Sequence, residues 1–121
     1  MTTANFNEDQ IFSNKIVTKV ILESEFSKEI RILLASGQVM KEHQSKFPIM
    51  IHLLDGAIDL GVERVSHKLK KGDIIALKAN VPHDLSATKD SVIRLSLSKS
   101  DSVERVTTVA EDSEKREHKN I

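Results

Sequence analysis

The stretch from Gly37 to His83 constrains the fold of this chain more than any other part of the sequence. It contains all four glycines, both prolines and four of the five histidines. Because glycine and proline mark turns, the turns and the candidate ligands share one segment. The runs between these turns are short and apolar or alternating, which is typical of β-strands.

Several runs of the chain have the composition of strands. Residues 16–22 are rich in β-branched side chains. Residues 28–35 alternate between Ile30, Ile32 and Leu34 on one face and Glu29 and Arg31 on the other, which predicts a half-buried strand. No window shows sustained helical periodicity with caps. The chain is therefore predicted to be all-β, a sandwich, jelly roll or barrel, with further extended segments at 38–43, 49–54, 57–60, 65–69, 74–77 and 91–97.

Two turns connect these segments in recognisable ways. Asp55-Gly56 lies between two apolar runs and predicts a tight hairpin, because glycine accepts the positive φ that such a turn needs. A second hairpin is predicted through Gly61 into residues 65–69, followed by a polar turn from Lys70 to Asp73.

The 121 residues fit one domain. We predict an N-terminal arm at 1–15, a β-barrel domain at 16–110 and a charged C-terminal tail at 111–121. Within the last part of the domain, Val103 to Val109 is a candidate edge strand. His118 lies in the tail and is assigned no role.

Composition excludes several classes of function. Eighteen basic residues balance eighteen acidic ones and there is no Trp or Tyr, so nucleic acid and anionic membranes are not expected partners. The absence of cysteine removes disulfides and thiolate chemistry, so a metal would need His and carboxylate ligands. The sequence shows no secretory signal and no apolar run long enough to span a bilayer. We expect a cytoplasmic protein.

Two motifs give the chain a family resemblance. Gly37 is followed six residues later by His43, and a closing glycine stands in the turn Leu54-Asp55-Gly56. Gly72-Asp73 then opens a second motif that ends at Val81-Pro82-His83. With the flanking strands, these motifs resemble the small single-domain cupins over residues 28–98. The resemblance implies a cupin double-stranded β-helix, or jelly roll, whose pocket would include His43, Ser45, Ile49 and His83.

The chain departs from the cupin metal motif at two of its four ligand positions. Ser45 stands where the family has a second histidine, and Ile49 stands where it has a glutamate. The resemblance leaves His43 and His83 as candidate ligands for a divalent transition metal such as Fe, Mn, Ni or Zn. Asn80 replaces a common glycine in the second motif and can still adopt a left-handed turn.

His52 is the candidate for a third metal ligand. Strict alternation places it on one face with Met50 and Leu54, away from the pocket if Ile49 faces inward. A bulge after Pro48 would reverse this assignment.

Three functions remain open. The first is a non-enzymatic or weakly metal-dependent cupin that binds a small molecule in its barrel pocket. The alternative is a metal-dependent dioxygenase or isomerase that uses His43, His83 and His52. The third is a structural or regulatory partner protein whose pocket has no ligand. The resemblance also implies a homodimer, since cupins commonly pair through sheet surfaces and open sheets leave exposed edges.

Overall fold

The computed structural model describes residues 1–99. Within this range the chain forms nine strands and no helix. The strands are β1 (Val17–Glu23), β2 (Ser27–Leu34), β3 (Val39–His43), β4 (Ile49–Asp55), β5 (Ala57–Val62), β6 (Val65–Lys70), β7 (Ile74–Leu77), β8 (His83–Ala87) and β9 (Ser91–Ser98). The candidate edge strand at 103–109 and the charged tail lie outside the described residues. In the described part there is also no helix of the length and apolarity needed to cross a bilayer.

The nine strands form two antiparallel sheets. The five-stranded sheet has the order β1-β2-β9-β4-β7, and the four-stranded sheet has the order β3-β8-β5-β6. The two sheets pack face to face over an aliphatic core to which both contribute, as in other sandwiches. The all-β jelly-roll prediction is confirmed. The buried core comprises Ile30, Ile32, Leu34, Ile49, Ile51, Leu53, Ile58, Leu60, Leu69, Leu85, Ala87, Ile93 and Leu95.

The hairpin predicted at Asp55-Gly56 is wrong. β4 pairs with β7 on one edge and β9 on the other, so neither edge is free for β5. β5 pairs with β6 and β8 in the opposite sheet. The Asp55-Gly56 turn therefore carries the chain from one sheet to the other. Gly56 has the predicted positive φ, at 99°. The predicted turn conformation is therefore confirmed, whereas the predicted pairing of the two flanking strands is wrong.

The second predicted hairpin is confirmed, with its turn two residues further along. β5 and β6 pair from Ala57↔Lys70 to Val62↔Val65. The turn between them consists of Glu63 and Arg64, with φ values of 52° and 68°. Positive φ at both central residues is the pattern of a type I′ turn, which suits the twist of a two-residue hairpin.

The N-terminal arm lies across the outer face of the five-stranded sheet. Arg31 on β2 is only 2% exposed. Its Nη1 donates to the carbonyl oxygens of Phe6 and Glu8 at 2.9 and 2.6 Å, and its Nη2 donates to the carbonyl of Asp9 at 3.3 Å. The prediction of a half-buried β2 is therefore wrong, because the arm covers the face that carries Glu29 and Arg31 and both residues are buried.

Candidate functional site

His43 and His83 lie side by side on two neighbouring strands of the four-stranded sheet. They are register partners on the neighbouring strands β3 and β8. The centroids of their rings are 4.4 Å apart and the ring planes are tilted by 57°. His83 is 3% exposed, whereas His43 is partly buried. The structure thus brings these two predicted site residues together, and we call them the histidine pair.

A bulge in β3 allows His43 to face inward. The register shifts between Met40, which pairs with Leu85, and His43, which pairs with His83. The two residues on β3 are three positions apart while their partners are two apart, so one extra residue is inserted. Bulges of this kind redirect side chains. Met40 packs against the core, and the bulge keeps His43 on the same face, where strict alternation would have turned it outward.

Backbone hydrogen bonds determine which nitrogen of each ring faces the site. His43 Nδ1 lies 2.8 Å from the carbonyl oxygen of Lys41, and His83 Nδ1 lies 2.9 Å from that of Val81. A carbonyl oxygen only accepts, so both Nδ1 atoms carry a proton and donate it. In the neutral rings both Nε2 atoms are therefore hydrogen-bond acceptors with available lone pairs.

Burial keeps His83 in its neutral form. Desolvation is the main cause that lowers the pKa of His83 below its ordinary value. The bond from Nδ1 to Val81 and the negative charges of Asp84 and Glu42 oppose this shift, and the charge of His43 reinforces it. Because the net shift is downward, His83 is a neutral acceptor at neutral pH.

The other two predicted pocket residues, Ser45 and Ile49, make contacts that stabilise the fold. Ser45 is buried; its carbonyl oxygen accepts the backbone N–H of Asn80 at 2.7 Å, and its Oγ accepts that of Phe47 at 3.3 Å. It ties the β3–β4 loop to the β7–β8 loop, where Asn80 has a φ of 64° as predicted. Ile49 is part of the core and pairs with Leu77 and Leu97.

His52 lies on the opposite face of β4 from the pocket. The burial of β4 alternates, with Ile49, Ile51 and Leu53 buried and Met50 exposed. His52 lines a cavity beneath the N-terminal arm together with Glu29 and Arg94. The alternation prediction is confirmed, and the structure does not bring His52 together with His43 and His83.

An apolar cavity of the barrel has neither His43 nor His83 among its lining residues, but it includes one neighbour of His83. Val62 on β5 is the register partner of His83 and also lines a cavity of about 420 Å³ between the edge strands β6 and β7. Because register partners present their side chains on one face, Val62 is the residue through which this cavity approaches His83. Sequence analysis did not identify this cavity, because its apolar lining residues are spaced like ordinary core positions. The lining residues are Leu60, Val62, His67, Lys68, Leu69, Ile75, Ala76 and Leu77.

The donor set does not fit the metal centre that the fold implies. Across residues 1–99, no group of three or more His, Cys, Asp or Glu side chains is placed to hold an ion. The histidine pair supplies two nitrogen donors, while Ser45 and Ile49 occupy the other two positions. Catalytic metal sites generally retain three protein ligands. We therefore derive no chemistry from a metal at this site.

The depressed pKa of His83 predicts a loss of stability in mild acid. The unfolded chain binds a proton near pH 6.5, whereas the folded protein resists protonation until its lower pKa is reached. Between these two pKa values the unfolded state binds more protons, so the free energy of unfolding falls as pH falls, by at most about 1.4 kcal/mol per pH unit for one proton. Denaturant titrations between pH 7.5 and 5 measure this slope.

His83→Gln should flatten the slope below pH 6.5, because glutamine does not titrate. The matched control is His67→Gln at an exposed position of β6, which should leave the slope in place. An unchanged slope in His83→Gln would assign the acid sensitivity to other groups.

The comparisons with known proteins agree with this architecture. The cupin domain model (Cupin_2) matches residues 30–98, more than half of the chain. Among solved structures, an RmlC-like cupin from Desulfovibrio desulfuricans is 20% identical, with 81% of this chain and 96% of that one covered and a TM-score of 0.74. A double-stranded β-helix protein from Klebsiella pneumoniae is 20% identical, with 81% and 89% covered and a TM-score of 0.70.

A third similar structure is KdgF from a Halomonas species, which is 23% identical, with 76% of this chain and 88% of that one covered and a TM-score of 0.64. No curated protein is detectably similar to the chain in sequence. At these identities the structural matches establish the fold alone. The family model, the two sheets and the two motifs together show that the chain belongs to the cupin family.

Proposed function

We propose that the protein binds a small neutral molecule in its barrel pocket, with little or no dependence on metal. The observation that carries the proposal is the fixed orientation of the histidine pair, in which both Nδ1 atoms are bonded to backbone carbonyls. Two Nε2 acceptors are thereby left available on one side of the pair. A ligand that donates two hydrogen bonds satisfies both.

The chemistry of the surroundings narrows the ligand class. The cavity that includes Val62, the register partner of His83, is lined mainly by aliphatic side chains, among them Leu60 and Ile75. Apolar pockets with a few convergent polar groups are typical of small-molecule sites. Because His83 is neutral at neutral pH, it offers no charge to attract an anion. The best fit is a compact, uncharged molecule that carries two neighbouring hydroxyl groups on an apolar skeleton.

An NMR titration tests this proposal with a defined probe. cis-1,2-Cyclohexanediol is added to the full chain while the ring signals of the histidines are recorded, and its dimethyl ether serves as the matched compound without donors. We expect saturable shifts at His43 and His83 with the diol and none with the ether. His43→Ala should weaken the binding about five-fold, the effect of losing one hydrogen bond of about 1 kcal/mol.

The control variant is His52→Gln, which changes a histidine on the opposite face of β4 and should bind the diol like the wild type. Equal binding of diol and ether would contradict the proposal. Elemental analysis of protein purified without an affinity tag is the second test. Near-stoichiometric metal that disappears in His43→Ala would overturn the metal-independent reading in favour of a metal-dependent enzyme.

A further inference from the structure

A row of basic side chains crosses the outer face of the five-stranded sheet. In register across the strands stand Lys19 on β1, Arg31 on β2, Arg94 on β9 and His52 on β4. Like charges on directly opposite positions repel each other. Such a row is stable only if negative or acceptor groups surround it. A side chain of the row that lacks such a partner therefore indicates where a ligand could bind.

The side chains of this row differ in how many of their nitrogen atoms have a hydrogen-bond partner. The two Nη atoms of Arg31 are engaged by carbonyl oxygens of the arm. Nε of Arg94 donates to Oε1 of Glu29 at 2.8 Å, and its two terminal nitrogens, which have no hydrogen-bond partner within residues 1–99, belong to a side chain that is 34% exposed. Nδ1 of His52 is buried and also has none among these residues. Unpartnered buried polar atoms are rare in folded proteins and call for an explanation.

Glu29 cannot supply the missing partners. Its Oε2 already accepts the hydroxyl groups of Ser27 and Ser96, both at 2.7 Å, in addition to the bond from Arg94 to Oε1. Burial raises the pKa of Glu29, but these hydrogen bonds and the charge of Arg94 outweigh it, and the net pKa is lowered. Glu29 is therefore ionised and close to saturated with donors, so it offers no further acceptor to the terminal nitrogens of Arg94 or to His52.

A cavity of about 690 Å³ opens above these groups. The sheet forms its floor with Glu29, His52 and Arg94, and the N-terminal arm forms one wall. Apolar side chains supply much of the remaining surface. We call it the arm cavity; its other lining residues are Thr2, Thr3, Ala4, Phe6, Asn7, Ile21, Leu22 and Leu54.

We propose that the arm cavity is a second binding site, for a small organic carboxylate. The two terminal nitrogens of Arg94 form a planar fork that matches a carboxylate in a bidentate pair. His52 Nδ1 donates a further hydrogen bond in the tautomer that protonates it. The hydrocarbon part of the ligand packs against Phe6, Leu22 and Leu54. This site is separate from the histidine pair, since it lies on the other face of β4.

The test uses benzoate as the anionic probe and benzamide as its neutral match, each titrated into the full chain at low salt. We expect saturable shifts of the Arg94 side-chain Nε–H signal and of arm amides such as Phe6 with benzoate, at millimolar affinity. Benzamide should bind at least about ten-fold more weakly, because it cannot form the charged pair with Arg94. The ring signals of His43 and His83 should not move.

Arg94→Lys is the main variant, because it keeps a cation beside Glu29 while removing the bidentate fork. It should remain folded and bind benzoate about ten-fold more weakly. His52→Gln should weaken binding by a smaller factor. Lys78→Gln, which removes an exposed cation at the end of β7, should bind like the wild type. Equal affinity for benzoate and benzamide, or unchanged affinity in Arg94→Lys, would overturn the proposal.

Discussion

Replacing Gly56 by alanine should destabilise the protein by about 3 kcal/mol or more, because two independent penalties add at this turn. The residue has a φ of 99°, which side chains rarely adopt. A Cβ placed there would also lie 2.5 Å from the carbonyl oxygen of Asp90 and 2.6 Å from Cα of Ser91. Backbone atoms of the β8–β9 connection cannot move aside as a flexible side chain can. Equilibrium unfolding in denaturant measures the effect.

Gly37→Ala is the matched control for Gly56→Ala. Gly37 has a similar φ of 88°, but a Cβ there would meet no atom within 4 Å. Its replacement should therefore report the backbone penalty alone, about 1 kcal/mol. If the two variants lose the same stability, the crowding at Gly56 is relieved by a small shift and contributes nothing.

The second large decrease in the free energy of unfolding is expected for Arg31→Gln. The guanidinium of Arg31 is buried and donates three hydrogen bonds to arm carbonyls. Glutamine is too short to reach them and has only one amide group. Hydrogen bonds from charged groups contribute about 1.5–3 kcal/mol each. Because water can take the place of Arg31 at the released arm carbonyls, we expect a total loss of only about 2–3 kcal/mol in the free energy of unfolding. The arm should also become accessible to limited proteolysis.

Lys19→Gln provides the comparison for Arg31→Gln. Lys19 is the register partner of Arg31 on β1, but it is exposed. Removing its charge should change stability by less than about 0.5 kcal/mol and leave the arm protected. Rapid cleavage within residues 1–15 in both variants would mean that Arg31 does not hold the arm in place.

The sequence was most informative where the signal is local. Alternating strands, the Gly72-Asp73 turn and the Pro82-His83 pair are short-range patterns, and they were sufficient to predict the fold and that His43 and His83 lie close together. The same patterns do not specify which strands pair. Asp55-Gly56 has the composition of a hairpin turn, yet both edges of β4 are occupied by β7 and β9, and only the assembled sheet shows this.

Long-range contacts account for the other differences. Glu29 and Arg31 look like the solvent face of a strand because nothing near them in sequence indicates that residues 6–9 fold over them. Arg94 is 65 positions from its partner Glu29, so the arm cavity has no local signature. In β3, an inserted residue keeps both Met40 and His43 on the inner face. No glycine or other turn residue in this strand indicates the bulge.

The position of β9 has a consequence for how the chain folds during synthesis. β9 is the last described strand, yet it lies inside the five-stranded sheet between β2 and β4. Until it leaves the ribosome, β2 and β4 each lack a neighbour, and unpaired edges readily pair with other chains. Folds built from such distant pairings also form slowly. The nascent chain must therefore be kept from aggregating until β9 emerges and joins the two parts of the sheet.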